Sequence, residues 1–245
     1  GFLNVQPSEF FKLFYIVWLC AYLDTNKKVL FKIRVFLIPV IIFSLSALVL
    51  LLQPDFGSTA ILFLITFIML FIAKARILHL LGMLFCGMFG AIALILVSPE
   101  RLSRLDFFEP CLRYMSDGYH LCWSLMAIGS GGLFGKGLGA SSTKLSYLSH
   151  PHTDFIFAIL AEELGIFGVV FITTLFYLFL KKCIFIGDKS FRVGMVFQGY
   201  LSYAIGIFIS TQAFLNMSVN LGIVPTKGLV LPFFSYGGSN YLVSI

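Results

Sequence analysis

Six stretches of this chain, at about 8–23, 35–52, 58–73, 77–97, 155–180 and 193–214, are almost wholly apolar. Each is close to the roughly 20 residues that an α-helix needs to cross a bilayer core about 30 Å thick. A seventh begins near Tyr241 and stops with the chain. None reads as a strand, because the runs are long and do not alternate. The expected fold is therefore all-α, a polytopic membrane helix bundle of about six full spans and a truncated one. It is read as one domain over 1–245, with a large extracytoplasmic loop at about 98–154. Only 11% of the 245 residues are charged, against about 25% in a soluble domain. No basic n-region or cleavage site marks a signal peptide at Gly1–Asn4. The missing initiator Met and the ending at Ser244-Ile245 lead us to expect a fragment lacking spans at both ends.

A formal charge of +6 would suit nucleic acid if the basic residues formed a patch. They do not. Lys27, Lys28, Lys32 and Arg34 lie in the first connection between apolar runs, Lys74 and Arg76 in the third. Lys181, Lys182, Lys189 and Arg192 lie in the fifth, and the second, Gln53 to Gly57, has no basic residue. The positive-inside rule puts connections one, three and five in the cytoplasm. Connection two, the 98–154 loop and the segment at about 215–240 then face outward, with bilayer rather than nucleic acid as the partner. That orientation gathers Gln6-Pro7-Ser8-Glu9, Gln53-Pro54-Asp55, the Asp154 region and Pro232 to Ser239 at one face. Irregular backbone at membrane depth needs protein or water to satisfy it, so these four elements read as the rim of a cavity.

Within that rim, Pro151-His152-Thr153-Asp154-Phe155 sets a carboxylate where a polar loop meets an apolar run. Desolvating such a charge is costly. Either Thr153 or Asp154 caps the next helix, or Asp154 is a reactive base facing a substrate at the membrane surface; both roles can coexist. The run Gly129-Ser130-Gly131-Gly132-Leu133-Phe134-Gly135-Lys136-Gly137-Leu138-Gly139 fails the phosphate-loop and dinucleotide spacings. A flexible re-entrant turn is the plainer reading, and an anion-binding nest helped by Lys136 and Lys144 the sharper one. His150, His152 and Asp154 lack a further ligand nearby, so no zinc site is expected. A magnesium or manganese ion leaning on diphosphate oxygens suits the region better.

Of Glu162-Glu163, inside an apolar run, at least one is expected to face a polar interior, and helix packing through a buried hydrogen bond is the expected role for either. Glu9 and Lys12, one turn apart, either pair structurally or face a substrate. Asp55 is expected to cap the next span and to line the cavity. The five cysteines are too scattered for a disulfide framework. Only Cys111 and Cys122 share an extramembrane loop, and free thiols are the expectation there too. The stretch Leu121 to Ile128 is a candidate for a short helix within the large loop.

Five segments together resemble the SEDS family (shape, elongation, division and sporulation) of membrane-embedded peptidoglycan glycosyltransferases. They are QPSEFFK at 6–12, QPDFGSTA at 53–60, GSGGLFGKGLG at 129–139, PHTDFIFAILAEELG at 151–165 and PTKGLVLPFFSYGGSN at 225–240. PTKGL ahead of LPFFSYGGS is more similar to the family's cell-division branch than to its elongation branch. Ser149-His150 departs from the Pro-Glu that often precedes the HTD. The resemblance implies ten spans, of which about the first three and most of the tenth lie outside this chain. It implies lipid II as substrate and glycan strand polymerisation at the outer face of a bacterial cytoplasmic membrane. A class B penicillin-binding protein and other divisome proteins are the implied partners.

The acceptor 4-hydroxyl would attack the donor's anomeric carbon with inversion, expelling undecaprenyl diphosphate. A glycosidase needs a second carboxylate to protonate its leaving alcohol; a diphosphate leaves without one, so a single base suffices. Asp154 is the expected catalytic base. Lys12, Glu9, Lys136, Lys144, Asp55 and Ser235 are the expected substrate-binding residues, with a divalent cation beside the diphosphate. A lipid II flippase and a non-catalytic divisome scaffold are the rival readings. Transporters set their polar residues near the midplane in repeated halves, and no internal repeat is evident here.

Overall fold

The computed structural model describes residues 6–53, 55–96, 111, 119–141, 143, 153–224 and 229–236. Among them are seven α-helices and no strand. They are α1 (Pro7–Asn26), α2 (Ile33–Leu52), α3 (Phe56–Ile72), α4 (Ile77–Leu96), α5 (Tyr119–Gly131), α6 (Ile156–Arg192) and α7 (Val196–Asn220). The expected apolar runs become α1–α4, α6 and α7, and the short helix expected inside the large loop forms as α5.

Local chemistry sets several boundaries. Pro7 opens α1 at a position where its missing N–H costs nothing. The Asp55 carboxylate accepts from Ser58 N at 3.0 Å and caps α3. Two boundaries differ from expectation: α7 runs on to Asn220, past the expected end at about 214, and α6 is longer still. The connection expected at 181–192 is helical, and α6 continues to Arg192. Its 37 residues would span about 55 Å if continuous, well beyond the thickness of a hydrocarbon core. The four basic residues of that stretch can thus stay in the helix without entering lipid. Inside α6, Gly165 leaves the helical region at φ 68°.

The chain divides into two compact units, Gly1–Leu94 with Phe179–Ser210, and Ile95–Leu178 with Thr211–Ile245. In the first, α1, α2 and α3 pack together around Leu19, Leu23, Ile61, Leu62, Ile65 and Met69. The Tyr15 and Thr66 hydroxyls meet there at 2.7 Å, and Thr66 also donates to the Leu62 carbonyl at 2.7 Å. The second is built on α5, the start of α6 and the end of α7, and its core includes Leu121, Ala127, Phe157, Ala158 and Ala213.

Polarity is distributed inside out. Glu9, Lys12, Ser124, Glu162, Gln212, Asn216 and Asn220 are buried, while Phe14, Leu52, Leu78, Phe89, Phe167 and Phe171 are exposed. Water would not tolerate so much exposed apolar surface; lipid favours it. By length and composition alone, α2 and α6 are apolar enough to cross a membrane, and α3 is a shorter apolar helix. The buried amides, hydroxyls and charges of α1 and α7 lower their hydropathy, since such groups must face the interior of a bundle.

The expectation of free thiols in the loop is corrected. Cys111 and Cys122 are joined as a disulfide; α5 brings Cys122 to the one cysteine that shares its loop.

Candidate functional site

Asp154 lies two residues ahead of α6 and is half-buried. Its backbone is gripped from α7. The side-chain amides of Asn216 and Asn220 both donate to the Asp154 carbonyl oxygen, each at 3.1 Å. One residue earlier, the Ser235 hydroxyl donates to the Thr153 carbonyl at 2.7 Å and accepts from Leu231 N at 2.7 Å. Phe233, at φ 66°, occupies the left-handed region that non-glycine residues enter at a cost. The turn it makes carries Ser235 back, with Ser235 N donating to the Leu231 carbonyl at 3.0 Å.

Gln212, Asn216 and Asn220 recur every four residues and so share one face of α7. Gln212 donates to the Val230 carbonyl at 3.2 Å, and Asn216 also makes a short contact with the Leu229 carbonyl. The 229–235 segment is thereby tied to the same helix face that holds Asp154. From α5, Ser124 donates to the Asn220 carbonyl at 2.9 Å and reaches its Oδ1 at 3.4 Å. The sequence reading missed Asn216 and Asn220. The signal was three amides spaced by four, Gln212, Asn216 and Asn220, which carry helical periodicity past the end of the apolar run.

Glu162 forms a second centre in the same unit. With 0% exposure, it receives Lys136 Nζ at 2.7 Å, Ser141 Oγ at 2.6 Å and Ser130 Oγ at 3.4 Å. Thr143 adds a short bond to the same carboxylate. The glycine-rich run is zipped onto α6 by its main chain as well. Lys136 N donates to the Glu162 carbonyl and Gly137 N to that of Glu163, both at 3.0 Å. Ile166 N returns to Gly132 O at 3.0 Å. The N–H groups of Gly135, Lys136 and Gly137 all have main-chain acceptors, so these three do not form an anion nest. Of the expected acidic pair, Glu162 takes the buried hydrogen-bonded role.

Glu9 and Lys12 pair at 2.7 Å with Lys12 only 1% exposed. The ammonium also lies 5.7 Å from the Phe208 ring centroid, within cation–π range. The structural alternative weighed for this pair is thus realised. Asp55 caps α3, and Ser235 holds main chain, so their side chains already serve the fold. Lys144, His150 and His152 lie outside the described residues. Among the described residues, no group of three or more His, Cys, Asp and Glu could hold a metal ion.

The family model for the FtsW, RodA and SpoVE proteins, described as "cell cycle protein", matches residues 1–245. This chain belongs to the SEDS family. A probable peptidoglycan glycosyltransferase FtsW of Nitrosococcus halophilus is 43% identical over 245 residues, covering 100% of this chain and 63% of that relative. The chain thus spans under two thirds of the length of the curated SEDS protein it matches. Among solved SEDS structures, the rod shape determining protein RodA of Thermus thermophilus matches with TM-score 0.68 and 27% identity. That match covers 100% of this chain and 63% of RodA. A peptidoglycan synthase complex that coordinates polymerization and crosslinking matches with TM-score 0.78 and 25% identity. It covers 100% of this chain and 68% of its counterpart. The polytopic helical membrane fold expected from the apolar runs is the SEDS fold, and the FtsW relative agrees with the division-branch resemblance read from PTKGL.

Proposed function

We propose that the protein carrying this chain polymerises lipid II into glycan strands during cell division, with Asp154 as general base. The acceptor 4-hydroxyl attacks the donor's anomeric carbon, the bond to undecaprenyl diphosphate breaks, and the hydroxyl proton passes to the Asp154 carboxylate. One observation carries this reading: buried side chains hold the carbonyls of both Thr153 and Asp154, which fixes the root of the Asp154 side chain at the head of an apolar helix. General-base chemistry needs such placement, because the base must lie within hydrogen-bond reach of the proton it removes.

Lys12 and Lys136 each already hold a buried carboxylate. We therefore assign Lys144 to the diphosphate, with a magnesium or manganese ion carried by the substrate's own oxygens. Glu9, Lys12, Asp55, Lys136 and Ser235 serve the fold, each through a contact within its own unit. We place the protein in the bacterial cytoplasmic membrane with the 98–154 loop outside. The basic residues in alternate connections support that orientation, as does the Cys111–Cys122 disulfide, because disulfides persist in oxidising compartments. A class B penicillin-binding protein fits as partner, since likeness to a complex that couples polymerization to crosslinking implies a crosslinking half.

The test is lipid II polymerisation by the full-length protein with its penicillin-binding partner, wild type against Asp154→Asn. Strands from the wild type and a loss of about 100-fold or more in the variant are expected. Equal rates would move the base elsewhere. Strands from neither, with lipid II crossing vesicle bilayers, would favour the flippase.

A further inference from the structure

We infer that Asn216 and Asn220 are positioning residues for Asp154, acting through its main chain; the inference rests on the reading of Asp154 as base. Asn216 is 1% and Asn220 0% exposed, in a helix whose neighbours are apolar. Burying two amides there is costly unless each is matched, and a helix needing only stability would carry Leu at both places. Instead the pair, one turn apart, converges on one oxygen. A carbonyl oxygen has two lone pairs and can accept two bonds, and Asp154 O accepts from both amides, each at 3.1 Å.

That oxygen is thereby held out of α6. In a continuing helix it would accept from Ala158 N, but Ala158 N bonds to the Phe155 carbonyl instead, at 3.1 Å. The amides are themselves oriented. Ser124 approaches Asn220 Oδ1, which leaves the Nδ2 group to face Asp154. Asn220 Nδ2 also contacts the Asn216 carbonyl at 2.9 Å and its Oδ1 at 3.3 Å, locking the two together. With Ser235 holding the preceding carbonyl, the peptide planes on either side of the Asp154 Cα are set. That fixes the point from which the carboxylate extends, and a displacement near 1 Å in such a group can cost about 100-fold in rate.

The test uses the full-length protein with its partner, comparing Asn216→Leu and Asn220→Leu, near-isosteric changes that remove the donors. A fall in kcat of about 10- to 100-fold with KM within about twofold is expected, with lipid II binding and melting temperature kept. Because the asparagines act through Asp154, Asn220→Leu should cost less in an Asp154→Glu background, whose carboxylate is already displaced. Unchanged kcat in the Leu variants while Asp154→Asn is inactive overturns the positioning role alone. Losses that merely follow a drop in melting temperature, or that add fully to those of Asp154→Glu, also overturn it. Wild-type rate in Asp154→Asn overturns both this role and the parent reading. Should the Leu variants fail to fold, Asn216→Ser and Asn220→Ser, whose hydroxyls are too short to reach, face the same criteria.

Discussion

Glu162 illustrates how a single buried carboxylate can organise a loop. Its oxygens gather one ammonium and three hydroxyls, so its charge is matched although the side chain is closed off from solvent. Lys136→Met removes that ammonium and leaves the charge to neutral donors. The expected result is a loss of about 2 kcal/mol of stability, read by thermal melting in detergent, with KM for lipid II unchanged. A raised KM at unchanged stability would return Lys136 to the substrate. The Glu9–Lys12 pair allows a sharper comparison. Lys12→Met alone strands a buried carboxylate and should destabilise by about 3–5 kcal/mol, whereas Glu9→Met with Lys12→Met should recover most of that. Wild-type polymerisation by the double variant would confirm a purely structural pair; an inactive but stable one would give the pair a role toward substrate.

At the scale of elements, the join between the glycine-rich run and α6 depends on two glycines that meet face to face. A Cβ on Gly135 would lie 2.1 Å from the Glu163 carbonyl oxygen, and one on Gly165 would lie 2.4 Å from Gly135 N. Both residues also have positive φ, 78° and 68°, where any Cβ is strained. Gly135→Ala and Gly165→Ala should each destabilise by about 3 kcal/mol. Because the contact is shared, the double variant should lose less than the sum, measured by the same melting assay. Full additivity would mean that the two glycines do not meet. The break at Gly165 is thus where α6 leaves its helical path to admit the loop.

For the whole molecule, the testable property is which way it sits in the membrane. Cysteines introduced singly near residue 138 should react with a membrane-impermeant maleimide on intact cells, and those near 28 or 194 only after permeabilisation. The opposite pattern would reverse the orientation drawn from the basic connections. Native Cys111 and Cys122 should resist alkylation until reduced, and their removal should cost about 2–3 kcal/mol by the closure of a short loop.

Much of this molecule is legible in its sequence. Apolar runs of bilayer length dictate helices, alternating basic connections dictate an orientation, and five ordered motifs carry the family resemblance. These signals are local or compositional, so a linear reading captures them. The end of α6 escapes such a reading because charges at 181–192 look the same in a loop and in a helix longer than the bilayer. What each polar side chain holds is also beyond its reach, since burial leaves such a group only the partners the fold delivers. Asn216 meets Asp154 across 62 residues, and Lys136 meets Glu162 across 26. Sequence alone determined that this chain is a membrane helix bundle with a carboxylate where a polar loop enters an apolar helix. Only the tertiary structure decided which partners Lys12, Lys136 and Ser235 take, namely Glu9, Glu162 and the Thr153 carbonyl, because a buried carboxylate or hydroxyl must be matched by whatever lies nearest in space.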